Sequence, residues 1–112
     1  MIIKQREILL VPFPFSDFSG NKVRPVLVIS KDSFNASSDD IIVCGITSNI
    51  THNIYSILIT TKDLEEGILY EQSCIKVENI LKIEKRFIIK KIGKIKSNIF
   101  LLVLNKVESL FK

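Results

Sequence analysis

The apolar residues of this chain fall in short β-branched runs closed by turn residues, and only the last stretch changes to helical spacing. Ile8 to Val11 is such a run, ended by Pro12-Phe13-Pro14-Phe15. Two prolines cannot donate ladder hydrogen bonds, so this strand must stop at an edge or bend. Ser16 to Lys22 then supplies loop residues, and Val26-Leu27-Val28-Ile29 reads as a strand buried on both faces. The first two strands therefore form a hairpin with a long tip.

Asp32 to Asp40 is polar, rich in Ser and Asn, and reads as irregular. Ile41 to Thr47 is a further strand, interrupted by Gly45, and Ser48 to Asn53 turns the chain into a fourth over Ile54 to Thr60. Lys62 to Glu66 followed by Gly67 predicts one short helical turn closed by a glycine. Ile68 to Val77 resumes strand character, and Phe87 to Ile92 is a last strand-like segment broken by Gly93. From Ser97, a good N-cap, Phe100, Val103, Leu104, Val107, Leu110 and Phe111 recur at helical spacing. Ile99 and Leu102 widen that stripe, which predicts deeper burial ahead of a subunit contact. These elements predict one α+β domain over residues 1–112, mainly β, curled into a small barrel with a C-terminal amphipathic helix.

Length and composition agree with a single modest core: 112 residues, 46% of them hydrophobic. No charge-free apolar run approaches the roughly 20 residues that span a bilayer, and no signal-peptide pattern follows Met1, so the expectation is a soluble protein of the cytoplasm with no membrane partner. Cys44 and Cys74 stand alone in apolar segments and read as small buried hydrophobes. The formal charge of +4 favours an anionic partner. Lys82, Lys85, Arg86, Lys90, Lys91, Lys94 and Lys96 crowd one stretch where Glu84 is the only acid. Such a run is first a solvated face, with phosphate binding or an acidic partner as the alternatives.

Elimination narrows the chemistry. With one histidine, His52, a subunit cannot supply a two-histidine acid and base pair. No His and carboxylate cluster resembles a metal site, so neither metal nor cofactor is expected, and phosphate-loop and nucleophile-elbow motifs are missing. Catalysis would have to rest on Arg, Lys, Thr, Ser and carboxylate. That set suits a substrate carrying its own nucleophile, such as RNA with its 2′-hydroxyl, where the protein orients groups and stabilises charge on phosphorus. Arg24, at the end of the hairpin loop before Pro25, could grip a phosphate through two parallel hydrogen bonds, or be an ordinary surface residue. Thr47, ending its strand, could be a β-branched filler or cap the turn.

Over nearly its whole length the sequence resembles the MazF/PemK toxin family. Ile8 to Phe15, then Asp17, Gly20 and Arg24-Pro25-Val26-Leu27-Val28-Ile29-Ser30, resembles the family's opening. Ile46-Thr47-Ser48 resembles the strand end carrying its threonine, and Glu71-Gln72-Ser73 with Ile75-Lys76-Val77-Glu78 resembles its later strand. The resemblance implies a CcdB/MazF-type barrel related to SH3-like barrels, a homodimer with an RNA groove, and an antitoxin whose acidic segment fills that groove. It implies metal-free cleavage of single-stranded RNA by 2′-hydroxyl attack, leaving a cyclic phosphate and a 5′-hydroxyl. Carried over by position, Arg24 and Thr47 are the catalytic candidates. Phe15, Ser19, Lys22, Ser48, Gln72 and Lys76 are the substrate-binding candidates. Where some members have Arg and Asp, this chain has Lys76 and Glu78, and Lys lacks the planar fork of Arg. His52 falls near a loop that could reach RNA, although a lone loop histidine reads first as a solvated one.

Two other readings stand beside this one. A CcdB-like gyrase poison shares the fold, but that activity goes with a tryptophan near the C-terminus, and this chain has no Trp. A non-catalytic module could use the basic face to hold RNA or an acidic peptide.

Overall fold

The structure, a computed structural model, describes residues 1–12 and 22–112. Among these, seven antiparallel strands form one sheet: β1 (Glu7–Pro12), β2 (Val23–Val28), β3 (Asp40–Thr47), β4 (Ser56–Ile59), β5 (Leu64–Gly67), β6 (Ser73–Glu84) and β7 (Lys90–Ile95). Their order across the sheet is β4-β6-β3-β2-β1-β7-β5. The two outermost strands, β4 and β5, are consecutive in the chain and joined only through Thr60–Asp63, so the sheet must curl until its edges approach. That short joint is fixed by reciprocal capping. The Thr60 amide donates to Asp63 Oδ2 at 2.8 Å, and the Lys62 amide to Thr60 Oγ1 at 3.3 Å. A curled sheet with a terminal helix is the architecture the strand pattern anticipated.

Alternation along the strands sends side chains to two cores, one on each face of the sheet. Leu27, Cys44, Ile46, Ile75 and Val77 join Ile8, Ile95 and two residues of the terminal helix α2 (Ser97–Ser109), Phe100 and Val103. Val26, Val28, Ile41, Val43 and Ile83 join Leu9, Val11, Ile3 and Ile88 on the other face. The reading of Val26 to Ile29 as doubly buried has its cause here, because β2 is an inner strand with a core on each side.

Several elements differ from the expectation. Asp32–Ser37 is a short helix, α1, built from poor helix formers. It is held by tertiary contacts: buried Asn35 donates from Nδ2 to the Ser30 carbonyl at 2.9 Å, and Asp32 Oδ1 accepts from the Gln5 amide at 2.8 Å. The helical turn predicted over Lys62 to Glu66 is a 3-10 turn, Thr61–Asp63, running straight into β5. Leu64 is buried there, and three residues pairing with β7 outweigh one unsupported turn. Gly67 has φ +87°, and a Cβ on it would stand 2.3 Å from the Ile92 carbonyl oxygen. Gly93 does not break β7; it lies inside it, where β5 backbone approaches closely. The strand expected over Ile68 to Val77 instead runs Ser73–Glu84, its second half disguised by exposed Lys82 and Glu84 around buried Ile83.

Helix α2 begins at Ser97, but Lys96 occupies the cap position and no side chain caps it. Its stripe is narrower than expected: Phe100 and Val103 are buried and Ile99, Val107 and Leu110 pack against them, whereas Leu102, Leu104 and Phe111 are exposed. Truncating Phe100→Ala should therefore cost about 3–5 kcal/mol in urea unfolding, and Leu101→Ala, on the exposed side, less than about 0.5 kcal/mol.

Both cysteines are free and buried, as their apolar settings predicted. Burial, and secondarily the negative charge of Glu78, push the Cys44 thiol up to about 12. A thiol raised this way favours the neutral form in the fold, so its contribution is complete below the ordinary thiol range and declines as pH rises toward 12. Native Cys44 should resist thiol reagents at mildly alkaline pH. Above pH ~9, stability should fall by up to ~1.4 kcal/mol per pH unit more steeply in the parent than in Cys44→Ala.

Candidate active site at the ends of three strands

The site is laid out by the pairing of β2, β3 and β6. Val26 pairs with Gly45, and Gly45 with Lys76, giving one rung across three strands. Arg24 lies two residues before Val26, and Thr47 two residues after Gly45. In antiparallel strands these positions share a face with the rung. Arg24, Pro25, Val26, Gly45, Thr47, Lys76, Asn79 and Leu81 accordingly line one concavity of about 170 Å³. Three residues singled out from the sequence, Arg24, Thr47 and Lys76, thus meet at one place.

A bulge shapes this pocket. On one side of it Cys44 pairs with Ile80, and on the other Gly45 pairs with Lys76, leaving Val77, Glu78 and Asn79 without rungs on β3. The Val77 amide instead donates to the Tyr55 carbonyl at 3.2 Å. Asn79 turns back over β3, where a Cβ on Gly45 would lie 2.7 Å from its Nδ2. Gly45 is the seat for this amide, a role signalled in advance only by a glycine inside a strand. Sequence reasoning did not single out Asn79. Glu78 is exposed, 3.5 Å from Asn53 Nδ2, and does not line the pocket.

Thr47 Oγ1 accepts the Asn49 amide at 3.1 Å, so the hydroxyl does close the turn. That bond uses a lone pair and fixes the oxygen, leaving the O–H free to donate. Arg24 is exposed and Lys76 half-buried, and neither has an acidic partner among the described residues. The basic stretch behaves differently. Lys91 bridges Glu7, at 3.1 Å, and Glu66; Lys94 approaches Glu65, Arg86 pairs with Glu84 and Lys82 approaches Asp40. A hydrogen bond from Lys91 holds the Glu66 carboxyl below its usual range, and Glu66 and Glu7 together hold Lys91 above its own. Much of the run is therefore neutralised within the fold, while Arg24 and Lys76, without an acidic partner among the described residues, offer positive charge to one pocket.

Of the other predicted site residues, Ser48 lines a second concavity that adjoins the first through Arg24 and Thr47. Lys22 is exposed just before β2, and Gln72 is exposed just before β6, outside both concavities. Phe15 and Ser19 lie outside the described residues. His52 belongs to a different depression, with Thr51, Asn53 and Leu58. No group of three or more His, Cys, Asp or Glu side chains among the described residues is placed to hold a metal ion. No helix among them is long and apolar enough to cross a membrane.

A Gly45→Ala substitution should displace the Asn79 amide, visible as a shift of its side-chain NMR resonances. Because the obstructing atom is the tip of an exposed side chain, the loss in urea stability should stay below about 1 kcal/mol. Unmoved Asn79 resonances would contradict the seat.

No curated protein matches the chain by sequence. Among solved structures, MazE-MazF from Deinococcus radiodurans superposes with a TM-score of 0.77 at 14% identity, over 98% of this chain and 95% of that one. The Mycobacterium tuberculosis toxin MazF-mt6 gives 0.76 at 17% identity, over 95% and 96%. An endoribonuclease in complex with its cognate antitoxin, from a Mycobacterial species, gives 0.70 at 13% identity, over 95% and 87%. These likenesses establish the fold. The family model for the PemK-like, MazF-like toxin of type II toxin-antitoxin systems matches residues 4–111, and the chain belongs to that family.

Proposed function

We infer that this chain, acting as one domain over residues 1–112, is the toxin of a type II toxin-antitoxin pair and a metal-independent endoribonuclease of single-stranded RNA. The observation that carries the reading is the convergence of Arg24, Thr47 and Lys76 on one concavity. A guanidinium without an acidic partner among the described residues, a fixed hydroxyl and an ammonium suit a phosphodiester whose nucleophile is its own 2′-hydroxyl.

In this mechanism Arg24 grips the two non-bridging oxygens of the reacting phosphate, its planar fork matching their spacing. Thr47 donates its O–H to one of them while the Asn49 amide holds its oxygen, and Lys76 adds a point charge. The 2′-oxygen loses its proton and bonds to phosphorus, the bond to the 5′-oxygen breaks, and that oxygen takes up a proton. The products are a 2′,3′-cyclic phosphate and a 5′-hydroxyl, with no water consumed. Lys22 and Ser48 extend the path of the strand, and Phe15, Ser19 and Gln72 are carried as further contacts on the family pattern. The acidic antitoxin would compete for the same positive charge. A second copy of the chain would complete a homodimer, for which exposed Leu101 and Leu104 on α2 and Phe111 just beyond it offer apolar surface. The compartment proposed is the cytoplasm, where mRNA is the substrate at hand.

The test is incubation with a long single-stranded RNA in EDTA, followed by mapping of the ends. The parent should give discrete cuts with 5′-hydroxyl ends, and Arg24→Ala should lose at least about 10²- to 10³-fold in kcat with its circular dichroism unchanged. Intact RNA with folded, antitoxin-free parent would instead favour a binding module or a gyrase poison.

A further inference from the structure

Arg24 and Thr47 stand on a wall between two concavities. On one side are Gly45, Lys76 and Asn79; on the other a space of about 380 Å³ opens past Ser48 to Val23, Ile68, Tyr70 and Ile92. A phosphate held on this wall has a nucleotide on each side, so a strand crossing it delivers one flanking base to the second concavity.

The second concavity has an unusual lining for a protein surface. Val23, Ile68 and Tyr70 are all exposed, Tyr70 at 94%, while Leu69 beneath them packs against the core. Tyr70 makes no hydrogen bond among the described residues. The segment carrying it, residues 68–72, contributes no rung to the sheet, so the ring is not placed there by strand pairing. A large aromatic face kept in water next to cationic groups that have no acidic partner among the described residues fits an unstacked nucleobase, whose π-face stacks on aromatic rings while its phosphate meets the cations. The volume lies within the range of pockets that enclose small organic groups, roughly 300–1,000 Å³.

Resting on the ribonuclease reading above, we propose that Tyr70 is a substrate-binding residue that stacks on the base flanking the reacting phosphate, on the side of the second concavity. The stack holds the strand splayed across the wall, so that the phosphate between the two bases is presented to Arg24 and Thr47.

The experiment uses a short RNA containing one mapped cleavage site. Tyr70→Ala should lower kcat/KM roughly 5- to 150-fold, the range that loss of one base-aromatic stack corresponds to, and Tyr70→Phe should keep most of the activity. Replacing nucleotides one at a time by abasic residues should find one position next to the cut where the parent loses the same factor and Tyr70→Ala loses little more. A merely structural role would give additive losses at every position. The chain has no Trp and two Tyr, so tyrosine emission gives a readout independent of cleavage. RNA binding should quench it in the parent, and Tyr70→Phe should bind with the quench lost. Cleavage by the parent with Tyr70→Ala equally active, or strictly additive losses, would overturn the stack alone and leave the ring as a protein-contact surface. A folded parent that neither cuts RNA nor shows the quench would overturn the ribonuclease reading together with this one.

Discussion

The ladder between β3 and β6 is the constraint on which the remaining structure depends. It has to hold register on both sides of a three-residue bulge, from Asp40 with Glu84 to Cys44 with Ile80, and again from Gly45 with Lys76 to Thr47 with Cys74. A slip of one residue on either side would exchange the two cores, because Cys44 and Ile46 face α2 while Ile41 and Val43 face the other way. The same pairing carries β4, whose four residues all pair with β6. Through Thr60–Asp63 it then fixes where β5 meets β7, and so how the sheet closes.

The candidate site is a by-product of that constraint. A bulge leaves side chains without cross-strand neighbours, and here it releases Asn79 above a glycine and lets Lys76 sit opposite the end of β3. Arg24 reaches the same place because β2 pairs with β3 only as far as Val26. The electrostatic contrast has a similar origin. Lys91 and Lys94 lie on β7 between β1 and β5, where Glu7, Glu65 and Glu66 are close at hand, whereas the ends of β2, β3 and β6 bring no carboxylate into the pocket among the described residues. Neutralised charge serves the fold, and the charge without a partner among the described residues is left where an anion can use it.

Much of this was legible in the residues. Short β-branched runs closed by turn residues marked β1 to β4, the doubly buried β2 followed from an unbroken apolar run, and the helical stripe marked α2. The motif around Arg24-Pro25 and Thr47 located two walls of the pocket without geometry. What stayed hidden depends on tertiary pairing. Asp32–Ser37 has little helix propensity and is held by Ser30 and Gln5. Leu64–Gly67 is a strand because β7 is there to receive it. Lys82 and Glu84 masked the far half of β6 because opposite charges on a solvent face resemble a surface run. Asn79 could not be found, since only the bulge turns it over Gly45; a glycine inside Ile41 to Thr47 was the one hint.

The freedom of residues 68–72 from the sheet carries an evolutionary consequence. Arg24, Thr47 and Lys76 are anchored on strands whose register fixes two cores, so few changes around them are tolerable. Ile68, Tyr70 and Glu71 border the adjoining space yet hold no rung, and Ile68 and Tyr70 bury little. Substitutions in that segment can alter what lies beside Arg24 and Thr47 while leaving their geometry in place. A lineage of such proteins can thus vary what its pocket accepts by drift along one short connection, with the cluster of Arg24, Thr47 and Lys76 inherited intact.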